Sequence, residues 1–539
     1  CSLKKKTHKP PCKSCKKQGI GCTFYDKPQL TRGKKSKGKH NAPIGPADDD
    51  APEVSKPSSE FFSHEDLEDM NNDEETALPR EATPEIDMED SFGNRGVLTK
   101  IKTSFAHPIK FSSLFNFAPT DSAMGTPWGI KAVKAPEAWE ASHKGNGSRV
   151  LILDTGIDQE HPALKANFEK GQDFTGTSDG SDFSDHVGHG SHVAGTIAGV
   201  LDASGFSGVA PEAKILAGRV CSEMGCSNVA IATGINWGIT EHADVISMSL
   251  GGMWSTPAER AAVTAAEAAG ITIVAASGND GTAKVSYPAA LGTVIAVGAV
   301  DEKLVKAPFS QWGPELAVVA PGVAVISSVP LGSGREAQVT VTINGVSRNV
   351  ICTTFQGAKE MDQAVPVDMV YANLGKPEDF AGLNVEGKYV LVQRGEISFL
   401  DKTKNAIAAK AAGVVVYNNA PGLIHGALTQ DGSTLPVPVA LIEQAVGEEM
   451  KASLLEGKPA QTSIVTLKTD YSAFDGTSMA TPHVAGVVAL MKAANKNLKP
   501  SEVKDILKRT AQVLGPNTAN EYGAGLVNAE AAVNAAIGK

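Results

Sequence analysis

Two hydrophobic patterns alternate along residues 126–334. Short runs that are almost wholly apolar recur as RVLILD (149–154), KILAGRV (214–220), ADVISMSLGG (243–252), ITIVAASGND (271–280) and VIAVGAV (294–300). Runs of this length and continuity predict strands buried on both faces, as in parallel sheets. Between them lie HGSHVAGTIAGVL (189–201), SNVAIATGINWGITEH (227–242) and TPAERAAVTAAEAAG (256–270), which predict helices. The alternation predicts an α/β fold: a doubly wound, mostly parallel sheet with helices on both faces. From 335 to 467 the texture changes. QVTVTINGVSRNVICTT alternates as antiparallel strands do, and GKYVLVQRGEISFLDKTKNAIAAKAAGVVVYNN predicts strand, loop, helix, strand. The first pattern resumes over 468–539. The chain is thus expected to hold one α/β domain in two parts, 126–334 and 468–539, interrupted by a smaller α/β or β-rich domain.

Residues 1–95 carry neither pattern. They are lysine-rich over 1–40 and acidic over 48–90, with scattered prolines. Such a segment buries too little apolar surface to offset its ordering entropy and is expected to be a disordered leader. Residues 96–125 hold more aromatics and are expected to be a pro-segment or docking linker. The chain starts at Cys1 rather than Met, as a processed product or a fragment would, and no signal peptide is visible. Hydrophobic residues make up 42% and charged residues 20%, which fits an ordinary globular protein, and the net charge is −10. No apolar run of about 18 residues predicts a membrane span.

Candidate chemistry sits where these patterns end. Asp154 closes the first apolar run, His189 opens a helix after a glycine-rich turn (DHVGHGSH), and Ser478 opens another in FDGTSMATPHVAG. In doubly wound sheets ligands bind at the carboxyl ends of the strands, where all three would project. A serine hydroxyl is a poor nucleophile at neutral pH. A histidine must take its proton, and a carboxylate must hold that imidazole. Each residue alone has a plainer reading: a turn aspartate, a core histidine, a helix-capping serine. His186, His189 and His192 also recur at every third position, but without the Glu of a zinc-binding H-E-x-x-H.

Taken together, DTGID, GHGSHVAGTIAG, SLGG, AASGND and GTSMATPHVAG, in this order, resemble the subtilisin-like serine proteases over 126–334 and 469–539. The resemblance implies an endopeptidase acting through an acyl-enzyme. It implies Asp154 as orienting carboxylate, His189 as general base and acid, Ser478 as nucleophile, and Asn279 as an oxyanion donor beside the Ser478 backbone N–H. Ser249, Leu250, Gly251 and Gly252 match the segment that pairs with an extended substrate. Ala276, Ser277 and Gly278 match the far wall of the pocket for the residue before the cut. His483 falls within the family motif as a packing residue. Catalysis would need no cofactor. The family's calcium-binding Asp after HP is Ala163 here, although Asp202 matches another ligand position, so the resemblance implies a degraded structural calcium site. No match to the family's folded inhibitory pro-domain is visible.

The insert resembles the protease-associated (PA) domain, which implies a non-catalytic module that helps select or position substrates; an inert spacer is the alternative. Cys1, Cys12, Cys15 and Cys22, with CKSCKKQGIGCTFYDKP, resemble half of a fungal binuclear zinc cluster, four cysteines where six are needed. Two other readings take Cys1 as the lipid-bearing first residue of a lipoprotein, or the whole leader as a disordered or fused segment. Cys221 and Cys226 stand close enough for a small disulfide, which would suit an oxidising compartment, or are two free thiols. The expected partners are polypeptide substrates rather than nucleic acid, and the expected location is extracellular or at the cell surface. The rival classes are a catalytically silent binding scaffold and a zinc-dependent DNA-binding protein with an appended protease-like domain.

Overall fold

The computed structural model describes residues 125–539 except 223, 224 and 430. The leader, its four cysteines and the aromatic segment before Gly125 lie outside the described residues.

Seven parallel strands form the first sheet: β1 (Arg149–Asp154), β2 (Phe168–Asp173), β3 (Lys214–Arg219), β4 (Val245–Met248), β5 (Thr272–Ala276), β6 (Ile295–Val300) and β7 (Leu316–Pro321), in the order β2-β3-β1-β4-β5-β6-β7. Side chains alternate across it. Val150 and Ile152 join one core with helices α1 (His189–Ala198) and α6 (Thr477–Ala494). Leu151 and Leu153 join the opposite core with α2 (Asn228–Thr240) and α3 (Pro257–Ala268). The five predicted strands and three predicted helices are present. β2 and β7 were not among them. β2 is an edge strand with mostly polar, partly exposed residues, so it lacks the apolar run that marks the others.

Helix α6 is buried all round, which is the expected place for a helix without a polar face. Its one buried cation, Lys492, donates to the carbonyls of Gly270 and Leu498 at 3.0 and 2.7 Å. A buried ammonium is tolerated only when it is bonded in this way.

The interruption begins on a hairpin. β8 (Val325–Ser328) pairs antiparallel with β17 (Tyr471–Phe474). Beyond it β9 (Gly334–Ile343) pairs with β16 (Ala460–Thr469) from Gly334↔Thr469 to Ile343↔Ala460. This stem belongs to a second, eight-stranded mixed sheet. The others are β10 (Val346–Val350), β11 (Cys352–Thr354), β12 (Val367–Tyr371), β13 (Tyr389–Gln393), β14 (Gly413–Tyr417) and β15 (Val439–Ile442), and the order is β10-β9-β16-β12-β13-β14-β15-β11. Helices α4 (Phe399–Ala408) and α5 (Gln444–Leu455) cover its two faces.

Candidate active site

Parallel strands bring their carboxyl ends to one edge, and β1, β4 and β5 are neighbours there. Asp154 ends β1, Ser249 follows β4, and Ser277 follows β5. Helix α1 starts at His189 and packs on α6, which starts beside Ser478.

Asp154 is 2% exposed, and its Oδ1 accepts from His189 Nδ1 at 2.7 Å and from the Thr155 N–H at 2.8 Å. Asp154 Oδ2 is buried with no hydrogen-bond partner among the described residues. The His189 ring is pinned by this bond while its side chain stays 22% exposed. Burial works against the imidazolium, but the charge and hydrogen bond of Asp154 outweigh it and hold the His189 pKa above its ordinary value.

Two residues not foreseen from sequence build the support. Buried Asp185 accepts from Thr155 Oγ1 (2.8 Å), from the Val187 and Gly188 N–H groups (3.0 and 2.7 Å) and from the Ser191 N–H (2.8 Å). Thr155 Oγ1 in turn accepts from the Gly190 N–H at 2.8 Å. The strand end that carries Asp154 and the turn that carries His189 are thereby tied together. Asp185 stands first in DHVGHGSH, but its task is to hold backbone groups, and those leave no mark in the side-chain pattern.

Ser478 Oγ donates to the Ser249 carbonyl at 3.1 Å, and Ser249 Oγ donates back to the Ser478 carbonyl at 2.7 Å. The second bond has a covalent cause. Pro482 lies four residues after Ser478 inside α6 and has no N–H to bond that carbonyl. The Ser249 hydroxyl supplies the missing donor. Asn279 Oδ1 accepts from both the N–H and Oγ1 of Thr477, each at 2.9 Å, which leaves its Nδ2 free to donate elsewhere. Gly476 stands between the donors at φ 149°, ψ 155°. A Cβ placed there would lie 3.6 Å from the Ser478 N and 3.7 Å from Asn279 Nδ2. Those two donors therefore flank one small space that only glycine leaves open. Thr477 is the third supporting residue that sequence reasoning missed.

Comparisons with known proteins bear on the family of the chain. The family model for the subtilase family matches residues 145–355, and that for the PA domain matches residues 360–450. Subtilisin of Bacillus pumilus is 40% identical over 216 residues, which cover 39% of this chain and 78% of the relative. The chain belongs to the subtilase family of serine proteases. The major intracellular serine protease of Bacillus subtilis (strain 168) is 43% identical over 38% of this chain and 67% of its own. The minor extracellular protease Vpr of the same organism is 29% identical over 72% of this chain and 51% of its own length. The crystal structure of a psychrophilic subtilisin-like protease from the Antarctic psychrotroph Pseudoalteromonas sp. AS-11 superposes with a TM-score of 0.53 at 30% identity, covering 77% of this chain and 99% of that one.

In this subtilase the other residues singled out from sequence divide into two groups. Ser249 and Leu250 are buried, while Gly251 is exposed and no backbone bond holds its N–H or C=O among the described residues. Gly252 instead exchanges both backbone bonds with Tyr287 at 2.8 Å. On the other side Ala276 and Ser277 are buried, and Gly278 sits at φ 110°. A Cβ on Gly278 would meet Gln311 Oε1 at 1.7 Å and Ser286 Oγ at 2.5 Å. Gly278→Ala is expected to lower stability by about 2–4 kcal/mol, since it combines a left-handed backbone with overpacking. Calorimetry of the variant checks this: a thermal midpoint within a degree of the parent would show that the wall yields.

The three histidines of DHVGHGSH take separate partners. His186 lies 3.3 Å from Asp182, His189 bonds Asp154, and His192 Nε2 donates to the Val325 carbonyl at 2.9 Å. Burial, with a smaller push from His189, takes the His192 pKa down to about 3. Burial likewise takes that of His483 down to about 4, and its Nδ1 bonds the Met479 carbonyl. Both are core residues. Ala163 offers no side-chain donor atom and is 2% exposed, and the Asp202 carboxylate accepts from the N–H and Oγ of Ser204 at 2.8 and 2.6 Å. Cys221 and Cys226 are joined by a disulfide. Two short strands pair them directly with Cα atoms 4.0 Å apart, which settles what their spacing left open.

Proposed function

We propose that this subtilase is an endopeptidase that cuts extended polypeptides through an acyl-enzyme. The observation that carries this reading is the buried 2.7 Å bond from His189 to Asp154 at the strand edge that also bears Ser478 and Asn279. His189, kept in the tautomer that donates from Nδ1, presents a basic Nε2 that takes the Ser478 proton as the oxygen attacks the scissile carbonyl. For this the Ser478 hydroxyl leaves the Ser249 carbonyl by rotation about χ1. The Ser478 N–H and Asn279 Nδ2 then hold the oxyanion. The imidazolium, stabilised by Asp154, returns its proton to the leaving amine, and water resolves the ester by the same steps in reverse order. Exposed Gly251 offers its free backbone groups to the substrate residues before the cut as an added strand. The chemistry calls on no cofactor.

Labelling by a fluorophosphonate probe, alongside casein cleavage, tests the reading in the parent and in Ser478→Ala. A folded parent that neither labels nor cleaves would overturn it in favour of a silent scaffold. Asn279→Ala is expected to lower kcat by about 10²–10³-fold with little change in KM, the magnitude measured for the matching asparagine of subtilisin. A loss confined to KM would remove Asn279 from the oxyanion site.

The Cys221–Cys226 disulfide supports an extracellular or cell-surface location, because such bonds persist in oxidising compartments.

A further inference from the structure

The catalytic lobe and the insert enclose a cavity of about 1290 Å³. It is walled by the segments that follow β6 and β7 in the catalytic sheet and those that follow β13 and β14 in the insert. The carboxyl ends of two parallel strand sets thus open on one space, and that is where ligands bind in open α/β sheets. Most of its wall is apolar, with Phe309 and Val323 from the catalytic lobe and Phe399 and Ile424 from the insert, while Lys303, Arg394 and Lys404 add charge to the lining. The four apolar residues are only partly buried against their own cores. Asn279 and Asp475 line the same cavity, three residues before Ser478 in the case of Asp475. There the two lobes are fastened together. The Asp475 carboxylate accepts from the Ala324 N–H at 2.7 Å and from the His425 N–H of the insert at 3.1 Å, and His425 Nδ1 lies 3.3 Å from it.

We infer that this cavity is the binding site for the part of the substrate that follows the cut, and that it selects apolar side chains there. The inference rests on the endopeptidase reading. The residues proposed to hold the substrate before the cut, Ser249–Gly252 and Ala276–Gly278, do not line the cavity, whereas Asn279 and Asp475 flank Ser478 on the cavity side. A polypeptide that passes Ser478 in extended form therefore leads from the first set into the cavity. The volume exceeds the roughly 300–1,000 Å³ of a typical small-molecule site, so it admits several extended residues and not one side chain. The insert is then a specificity element, and Phe399 and Ile424 are its reading surface.

The test uses the full chain and two internally quenched peptides. They are identical before the cut and carry either leucines or glycines after it. A peptide p-nitroanilide, which has no residues after the cut, serves as a third substrate. Burial of one leucine-sized side chain predicts a kcat/KM ratio of roughly 10 or more, leucine over glycine. Ile424→Asp and Phe399→Ala are expected to bring that ratio close to one. Because both peptides are measured on the same variant, a partial loss of folded protein cancels. A parent ratio near one, or a ratio untouched by both variants, overturns the inference while leaving the endopeptidase reading in place. Absence of p-nitroanilide turnover that depends on Ser478 overturns that reading, and the cavity assignment with it.

Discussion

Ser478→Ala is expected to fold normally and to lose turnover by on the order of 10⁶-fold, the magnitude measured for the triad of subtilisin. The size follows from what the hydroxyl does. Without Oγ no acyl-enzyme forms, and only binding and the oxyanion donors are left to act on an attacking water. Stability should hardly change. Ser478 is only partly buried, and its side chain makes a single bond among the described residues, to the Ser249 carbonyl at 3.1 Å. Active-site titration and thermal unfolding of the same preparation check both halves. Retained labelling would place the nucleophile elsewhere.

The second large effect is expected from Asp154→Asn. The amide keeps the shape of the carboxylate but offers an N–H to His189 Nδ1. That turns the imidazole to the tautomer whose Nε2 carries a proton and cannot accept one from Ser478. A loss of about 10⁴-fold in kcat is the established consequence of this change in serine-protease triads. The pH profile separates this role from a merely structural one. In the parent, Asp154 raises the His189 pKa, so activity is lost as pH falls through a value above the ordinary one near 6.5. In Asp154→Asn that acid limb should move to lower pH. An unmoved limb would mean that Asp154 does not set the charge state of His189. Stability runs the other way. A raised folded-state pKa stabilises the folded chain below the unfolded value near 6.5, and the contribution is lost as pH rises through the folded value. The pair thus gives least to folding in the range where neutral His189 serves as the base.

The main lines of the fold were legible because buried strands and helices write their periods into the chain, and RVLILD or ITIVAASGND can hardly be anything else. Asp154, His189, Asn279 and Ser478 were legible because their motifs recur in one order. β2 escaped because an edge strand need not be apolar. Asp185, Thr155 and Thr477 escaped because they act on backbone N–H groups and on other side chains, and any position may do that. The cavity was beyond reach for a different reason. Its walls come from segments far apart in the chain, such as those that carry Phe309 and Phe399, and the stem that joins the lobes brings them face to face.

That stem has a consequence for how the chain came to be and how it can be altered. Gly334 and Thr469 face each other as register partners where the insert begins and ends, next to the β8–β17 hairpin. A chain whose two exits lie side by side adds little loop-closure cost to its host, because the cost grows only slowly with the length between them. The insert is in effect a hairpin turn enlarged into a domain. It is exchangeable: a short turn, or a different domain with adjacent ends, can be grafted at the same two residues without rethreading the catalytic sheet.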